Sequence, residues 1–187
     1  MPLLAREPDC CPANLLEATS VAGSSDGRWV AFYTLSRREK DLMRKLVGLQ
    51  VPFYAPVIRR RLKSPGGRVR ESFVPLFPGY VFARVDDDQR RTALTTNTIA
   101  RWLPIADEAA LLRDLRAIKQ LIDADQPLTP EARIEPGQQI RVRSGPMRGI
   151  EGTVLRRHGC QRLVVAVTFL NQGASVEIED VDLETIG

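Results

Sequence analysis

Nine residues, Val74-Pro75-Leu76-Phe77-Pro78-Gly79-Tyr80-Val81-Phe82, constrain the fold more than any other stretch of this chain. Each proline removes a ladder donor and fixes φ, so Phe77-Pro78-Gly79 predicts a turn or strand entry, not mid-sheet. From Tyr80 to Val85 the composition is that of a strand. Alternation puts Tyr80, Phe82 and Arg84 on one face and Val81, Ala83 and Val85 on the other. The all-apolar face can enter a core. The Tyr80/Phe82 face must be covered by another element or offered to a partner.

The surrounding pattern supplies the sheet and helices this strand needs. Arg28–Thr34 is rich in aromatic and β-branched residues and predicts a strand, with Trp29, Ala31 and Tyr33 on one face. Ser36 and Glu39 match a capping box, and Leu42, Met43, Leu46, Val47 and Leu49 follow at helical spacing as a buried stripe. Gly48 and Pro52 end that helix. Residues 51–58 read as an extended, proline-confined strand. Six cations then surround Pro65-Gly66-Gly67, a basic hairpin tip. Asp86-Asp87-Asp88 should cap a helix reaching about Thr95. Ile99–Ile105 reads as a strand, and Glu108–Ala124 as an amphipathic helix built on Leu111, Leu112, Leu115, Ile118, Leu121 and Ile122. This order predicts an α+β fold, an antiparallel sheet flanked by helices, over residues 28–124.

Two flanking stretches differ in character. Residues 1–27 lack a sustained period and are expected to form a disordered extension, with one helical turn around Leu15-Leu16-Glu17. Residues 125–135 are polar and proline-bearing, a natural linker. Beyond them, 139–143, 152–157, 163–169, 174–178 and 183–186 are short strands between glycine turns, the signature of a small β-barrel over 136–187. Gly145, Gly149 and Gly152 should sit where φ is positive or backbones approach closely.

The +4 net charge is unevenly held. Residues 27–123 carry nineteen bases and ten acids, whereas residues 1–26 and 124–187 are each net acidic. The middle segment alone is therefore expected to meet a polyanion. Three cysteines, Cys10, Cys11 and Cys160, make neither a disulfide framework nor a zinc spacing. The single histidine, His158, lies between Arg157 and Gly159 in an expected turn and is read as incidental, with no Ser-His-Asp or His-metal set assembled from it without further ligands. No catalytic site, metal or cofactor is expected. No apolar run approaches the roughly 18–20 residues that cross a bilayer, and no signal peptide is read, so a cytoplasmic location and no membrane partner are expected.

Three stretches together carry a family resemblance: Trp29–Lys40, Val74–Phe82 and Pro136–Val154, the last resembling the KOW motif. They resemble the NusG-type transcription elongation and antitermination factors. The resemblance implies a NusG N-terminal α/β sandwich at 28–124, a linker at 125–135, and a small SH3-like KOW β-barrel at 136–187. It implies a monomer whose N-terminal domain binds RNA polymerase, bridging clamp and gate loop to suppress pausing or termination. The matching clamp-binding positions are Tyr33, Phe77, Pro78, Tyr80 and Phe82, with Trp102 and Ile105. Arg91 and Thr92 stand where specialised members carry a gate-loop motif. Arg37, Arg38, Lys40, Arg44 and Lys45, with Arg59, Arg60 and Arg61, are candidates for contacts with upstream or non-template DNA.

In the second domain, Phe169, Leu170 and Asn171 occupy the loop that housekeeping members use toward Rho or a small-subunit ribosomal protein. Here the aromatic is kept and the arginine of that loop is absent. With the N-terminal extension, this departure points to a specialised paralogue such as an operon-directed antiterminator. Two alternatives stay open: a housekeeping factor coupling polymerase to Rho or the ribosome, and a ribosome-associated KOW RNA-binding protein. The latter should have a basic barrel, and residues 124–187 are acidic.

Overall fold

The computed structural model describes residues 7–17, 27–63, 67, 69–133, 136–157, 159–178 and 183–186. By its internal contacts the chain forms two compact units, 1–108 and 109–187. In the first unit the elements run β1 (Cys10–Cys11), β2 (Arg28–Thr34), α1 (Glu39–Gly48), β3 (Phe53–Tyr54), β4 (Val57–Lys63), β5 (Val69–Pro75), β6 (Tyr80–Val85), α2 (Asp87–Leu94) and β7 (Ile99–Pro104). Five strands form one antiparallel sheet, ordered β1-β3-β6-β2-β7, and β4 and β5 pair with each other as a separate ribbon. The mixed α/β class and the basic hairpin therefore match expectation. The hairpin tip at 64–66 lies outside the described residues, as does His158.

The central strand β2 sets the core. Because side chains alternate, Val30 and Phe32 share a face with Val81, Ala83, Val85 and Phe53, and this face packs on Leu42, Met43 and Leu46 of α1 and Ala93 of α2. Each of the valine, leucine, phenylalanine and methionine side chains among them, fully buried, contributes about 1.5–3 kcal/mol relative to exposure. Val47 and Leu49, expected in the same stripe, are exposed instead. At about 100° per residue Val47 has rotated off the face that Leu46 buries, and Leu49 is already the C-cap.

The two helix starts differ. Asp86 caps α2 as expected: its Oδ1 accepts the Gln89 N–H at 2.7 Å, while Gln89 Oε1 accepts the Asp86 N–H at 3.2 Å. The Ser36/Glu39 box does not form. A turn through Arg37, with φ 60°, closes by the Arg38 N–H to the Leu35 carbonyl, and Arg38 becomes the N-cap without a side-chain bond. Ser36 is thus left two residues upstream of the cap, and Glu39 turns elsewhere.

The N-terminal extension is corrected in part. Cys10 pairs with Tyr54 and Cys11 with Phe53, and the Ala55 N–H donates to the Asp9 carbonyl at 2.7 Å, so this segment adds an edge strand. The expected turn is present, with the Leu15 N–H on the Pro12 carbonyl, and it buries Leu15 and Leu16 almost completely. Two leucines and a strand edge outweigh the chain entropy that polar composition had implied. Residues 1–6 and 18–26 lie outside the described residues.

In the second unit, α3 (Glu108–Asp123) is followed by β8 (Leu128–Glu131), β9 (Gln138–Val142), β10 (Glu151–Arg157), β11 (Cys160–Val167), β12 (Gln172–Glu177) and β13 (Leu183–Thr185). These strands form a six-stranded antiparallel sheet ordered β13-β9-β10-β11-β12-β8. The expected linker at 125–135 therefore contains a strand. Thr129 and Ser175 face each other there, and Ser175 Oγ donates to Glu131 Oε1 at 2.6 Å, while Arg162 reaches Ser175 Oγ and Thr129 Oγ1 at 3.0 and 2.8 Å. Pro130 is tolerated because β8 ends the pairing order, where one side of the strand needs no ladder. Gly145 and Gly149 take positive φ of 79° and 86°, and a Cβ on Gly152 would strike the Val164 carbonyl. The expected glycine roles hold.

Helix α3 groups with this second unit. Leu111, Leu115, Ile118 and Leu121 are buried on its apolar face. Asp114 accepts the Thr168 N–H at 2.8 Å, and the Gln120 side-chain amide donates to the Arg148 carbonyl at 2.9 Å.

Candidate functional site

The Val74–Phe82 stretch is a corner between β5 and β6. Leu76 and Phe77 are buried, Pro78 is exposed, and the Tyr80 N–H closes the turn on the Phe77 carbonyl at 3.1 Å. Gly79 has φ 84°, a region disfavoured for residues with a Cβ. Two hydrogen bonds hold it, its N–H donating to Glu39 Oε1 at 2.7 Å and its carbonyl accepting the Thr34 N–H at 2.8 Å, and a Cβ added there would lie 3.0 Å from the Tyr33 ring. Glu39, left free by the unformed capping box, is therefore what pins the turn. Its burial is matched by this hydrogen bond.

Beside the turn, Arg101 of β7, Tyr33 of β2 and Tyr80 of β6 form one row across three strands. The two tyrosine rings meet edge to face, with centroids 5.1 Å apart at 62°. The Arg101 guanidinium lies 4.9 Å from the Tyr33 ring centroid. Tyr33 and Tyr80 are half-buried and Arg101 is exposed. The row is thus an aromatic ledge with a cation at one end.

The next row on the same face is Leu103, Ala31, Phe82, Tyr54 and Cys10. Phe82 is 0 % exposed and packs edge to face on Phe77, with centroids 6.3 Å apart. Phe77 and Phe82 therefore belong to the interior, and the expectation that they are surface contacts is corrected. Ile105 is also buried, its N–H donating to the Trp29 carbonyl at 3.4 Å. Trp102 points to the opposite face: it pairs with Phe32, packs against the α1/α2 core, and carries the Arg90 guanidinium 4.4 Å from its ring centroid. Of the seven expected positions, Tyr33, Pro78 and Tyr80 are brought together at the surface. Arg101 joins them without having been foreseen, because only the β2–β7 register sets it opposite Tyr33.

The gate-loop candidates Arg91 and Thr92 are exposed on α2, where Arg91 pairs with Asp88 and the Thr92 hydroxyl donates to the Asp88 carbonyl. Since α2 covers the face opposite the ledge, the two sets of candidates lie on opposite sides of the sheet.

The basic residues divide sharply. On α1, Arg38 and Lys45 both pair with Asp41, Lys45 also reaches the Thr96 carbonyl at 2.9 Å, and Arg44 pairs with Glu7 of the N-terminal segment. Partial desolvation pushes the Asp41 carboxyl up, but hydrogen bonds and charge from Lys45 and Arg38 outweigh it and hold the group below the ordinary carboxylate range. Arg37 is exposed and Lys40 half-buried. On the β4–β5 ribbon, Arg59, Arg60 and Arg61 are all exposed, and Arg61 pairs with Glu71 across the strands at 2.6 Å.

In the second unit Phe169 is exposed in the short helical turn Thr168–Leu170, Leu170 is half-buried, and Asn171 takes φ 50°. Among the described residues no group of three or more His, Cys, Asp or Glu could hold a metal, and no helix is long and apolar enough to cross a membrane.

Comparison with known proteins places this geometry. A family model described as NusG, transcription termination factor nusG, matches residues 27–127, which takes in the whole five-stranded sheet except β1. The transcription termination/antitermination protein NusG of Pseudomonas aeruginosa is 26 % identical over 174 residues, covering 85 % of this chain and 98 % of that protein. With more than half of its length matched by the family model, and the Pro-Gly corner and its tyrosine ledge inside that match, the chain belongs to the NusG family.

Proposed function

We propose that this protein is a transcription termination/antitermination factor that binds RNA polymerase through its first unit and makes or breaks no covalent bond. The observation that carries the reading is the half-buried Tyr33–Tyr80 pair beside exposed Pro78, held on the sheet within the family-matched region. Tyrosine offers large amphipathic contact area at low conformational cost, which is why it recurs at interface hot spots. The ledge takes the polymerase clamp, and Arg91 and Thr92 on the far side of the sheet face the gate loop, so one rigid body spans the cleft. Bridging keeps the clamp closed and suppresses pausing. Residues 136–187 are read as the KOW domain, and the altered loop at 168–171 favours a specialised paralogue.

Nucleic-acid contact belongs to the β4–β5 ribbon, where Arg59, Arg60 and Arg61 follow one another and are all exposed. Such contacts act through phosphate, without sequence information. A second reading, coupling to Rho or a small-subunit ribosomal protein, is favoured by one observation, the exposed Phe169 side chain.

The test is an in vitro elongation assay on a pausing template with purified polymerase. Wild-type protein is expected to shorten pauses, and Tyr80→Ala to require at least about tenfold more protein for the same effect, about 1.4 kcal/mol of binding. Pause lifetimes that do not respond to wild-type protein would refute the reading. Adding purified Rho, then 30S subunits, to labelled protein addresses the second reading; binding that is lost in Phe169→Ala would establish it.

A further inference from the structure

We propose that Arg101 makes the tyrosine ledge selective for a partner segment that carries a carboxylate beside an apolar side chain. This rests on the reading that the ledge meets a protein surface of the polymerase.

The geometry prepares Arg101 for that task. A guanidinium stacked over an aromatic ring is attracted to the ring's negative face, and the stack limits the rotamers it would lose on binding. The guanidinium presents a planar fork of N–H groups that can take a carboxylate bidentately. Tyr33 and Tyr80 supply the apolar floor immediately beside that fork, 5.1 Å apart between centroids. A ligand that fits both must be charged at one end and apolar next to it.

Among the described residues the charge of Arg101 is also unspent. Arg38, Arg44, Arg61, Arg90 and Arg91 each pair with an acid of the same chain. No described acid pairs with Arg101, whose contact is the Tyr33 ring. Stacked bases fit less well: Arg101 lies over the Tyr33 ring, and Tyr80 meets that ring edge to face, so the row does not present successive open faces as a single-strand platform does.

The experiment measures binding of the full chain to purified polymerase for wild type, Arg101→Glu, Arg101→Gln, Arg101→Lys and Tyr80→Ala, at low and high salt. Thermal melts confirm that each variant folds, as exposure of Arg101 leads one to expect. Arg101→Glu should weaken binding at least tenfold at low salt, Arg101→Gln severalfold, and Arg101→Lys less than Gln. Raising the salt should cost wild type more affinity than Arg101→Gln, because an exposed ion pair is screened. If wild type binds and Tyr80→Ala weakens it while Arg101→Glu stays within twofold, the proposal is wrong and the ledge reading survives. Absence of wild-type binding overturns both. A single-stranded oligonucleotide that displaces polymerase from wild type but binds Arg101→Gln poorly would assign Arg101 to nucleic acid and also overturn it.

Discussion

The two faces of the β2–β6–β7 sheet are made by the same strands and do opposite work. One face sets Val30, Phe32, Val81 and Ala83 against α1 and α2 and is closed. The other begins with buried Ala31 and Phe82 and ends, one row further along, in Arg101, Tyr33 and Tyr80 at the surface. A move of two residues along a strand thus changes an aromatic from fully buried to half-buried at the surface. Composition cannot distinguish the two rows, since each contributes an aromatic from β6. Burial does, and it separates a core position from a half-exposed one within one strand.

That separation can be broken by mutation. Phe32→Ala removes a side chain with 0 % exposure from the closed face and should cost about 3–5 kcal/mol, read from urea denaturation midpoints. If the cost were under about 1 kcal/mol, the closed face would not be the core. Leu16→Ala, in the N-terminal segment, should cost about 2–4 kcal/mol by the same measurement. An unchanged midpoint would mean that this segment does not hold to the sheet edge in solution.

A subtler change lies at the boundary between the faces. Gly79→Ala places a Cβ at φ 84° and 3.0 Å from the Tyr33 ring, and should cost about 1–3 kcal/mol of stability while also displacing the ledge. Polymerase binding should therefore fall more in Gly79→Ala than in a core variant of equal stability, and equal losses would show that the turn does not position Tyr33.

The smallest effect is a pH dependence on α1. The Asp41 carboxyl is held below its ordinary value of 3.8, so its contribution is full above that value and is lost as the pH falls through the lower folded one. Asp41→Asn should accordingly be slightly less stable than wild type near neutral pH, and the difference should vanish in strong acid. A difference that persists there would point to lost packing or hydrogen bonding in place of charge.

Much of this was legible from residue types. Asp86 capped α2 where its spacing with Gln89 allowed, and the α3 stripe buried Leu111, Leu115, Ile118 and Leu121. The Pro-Gly corner fell where two fixed φ angles required it. Other expectations failed for non-local reasons. Ser36 lost its cap to a turn through Arg37, and polar, proline-bearing 128–131 became a strand because β12 had a free edge. Charge misled in its own way, because Arg44 and Glu7 lie 37 positions apart and neutralise each other.

The sequence by itself determined the periodicities, the turn at Pro78-Gly79 and the family to which the chain belongs, since all of these depend on the order of residue types over a few positions. Only the tertiary structure decided which of Tyr80 and Phe82 reaches the surface, and that Arg101 stands beside Tyr33. Both depend on strand register and on what packs over each row. Register is a pairing between residues 47 and 68 positions apart, and no local pattern encodes it.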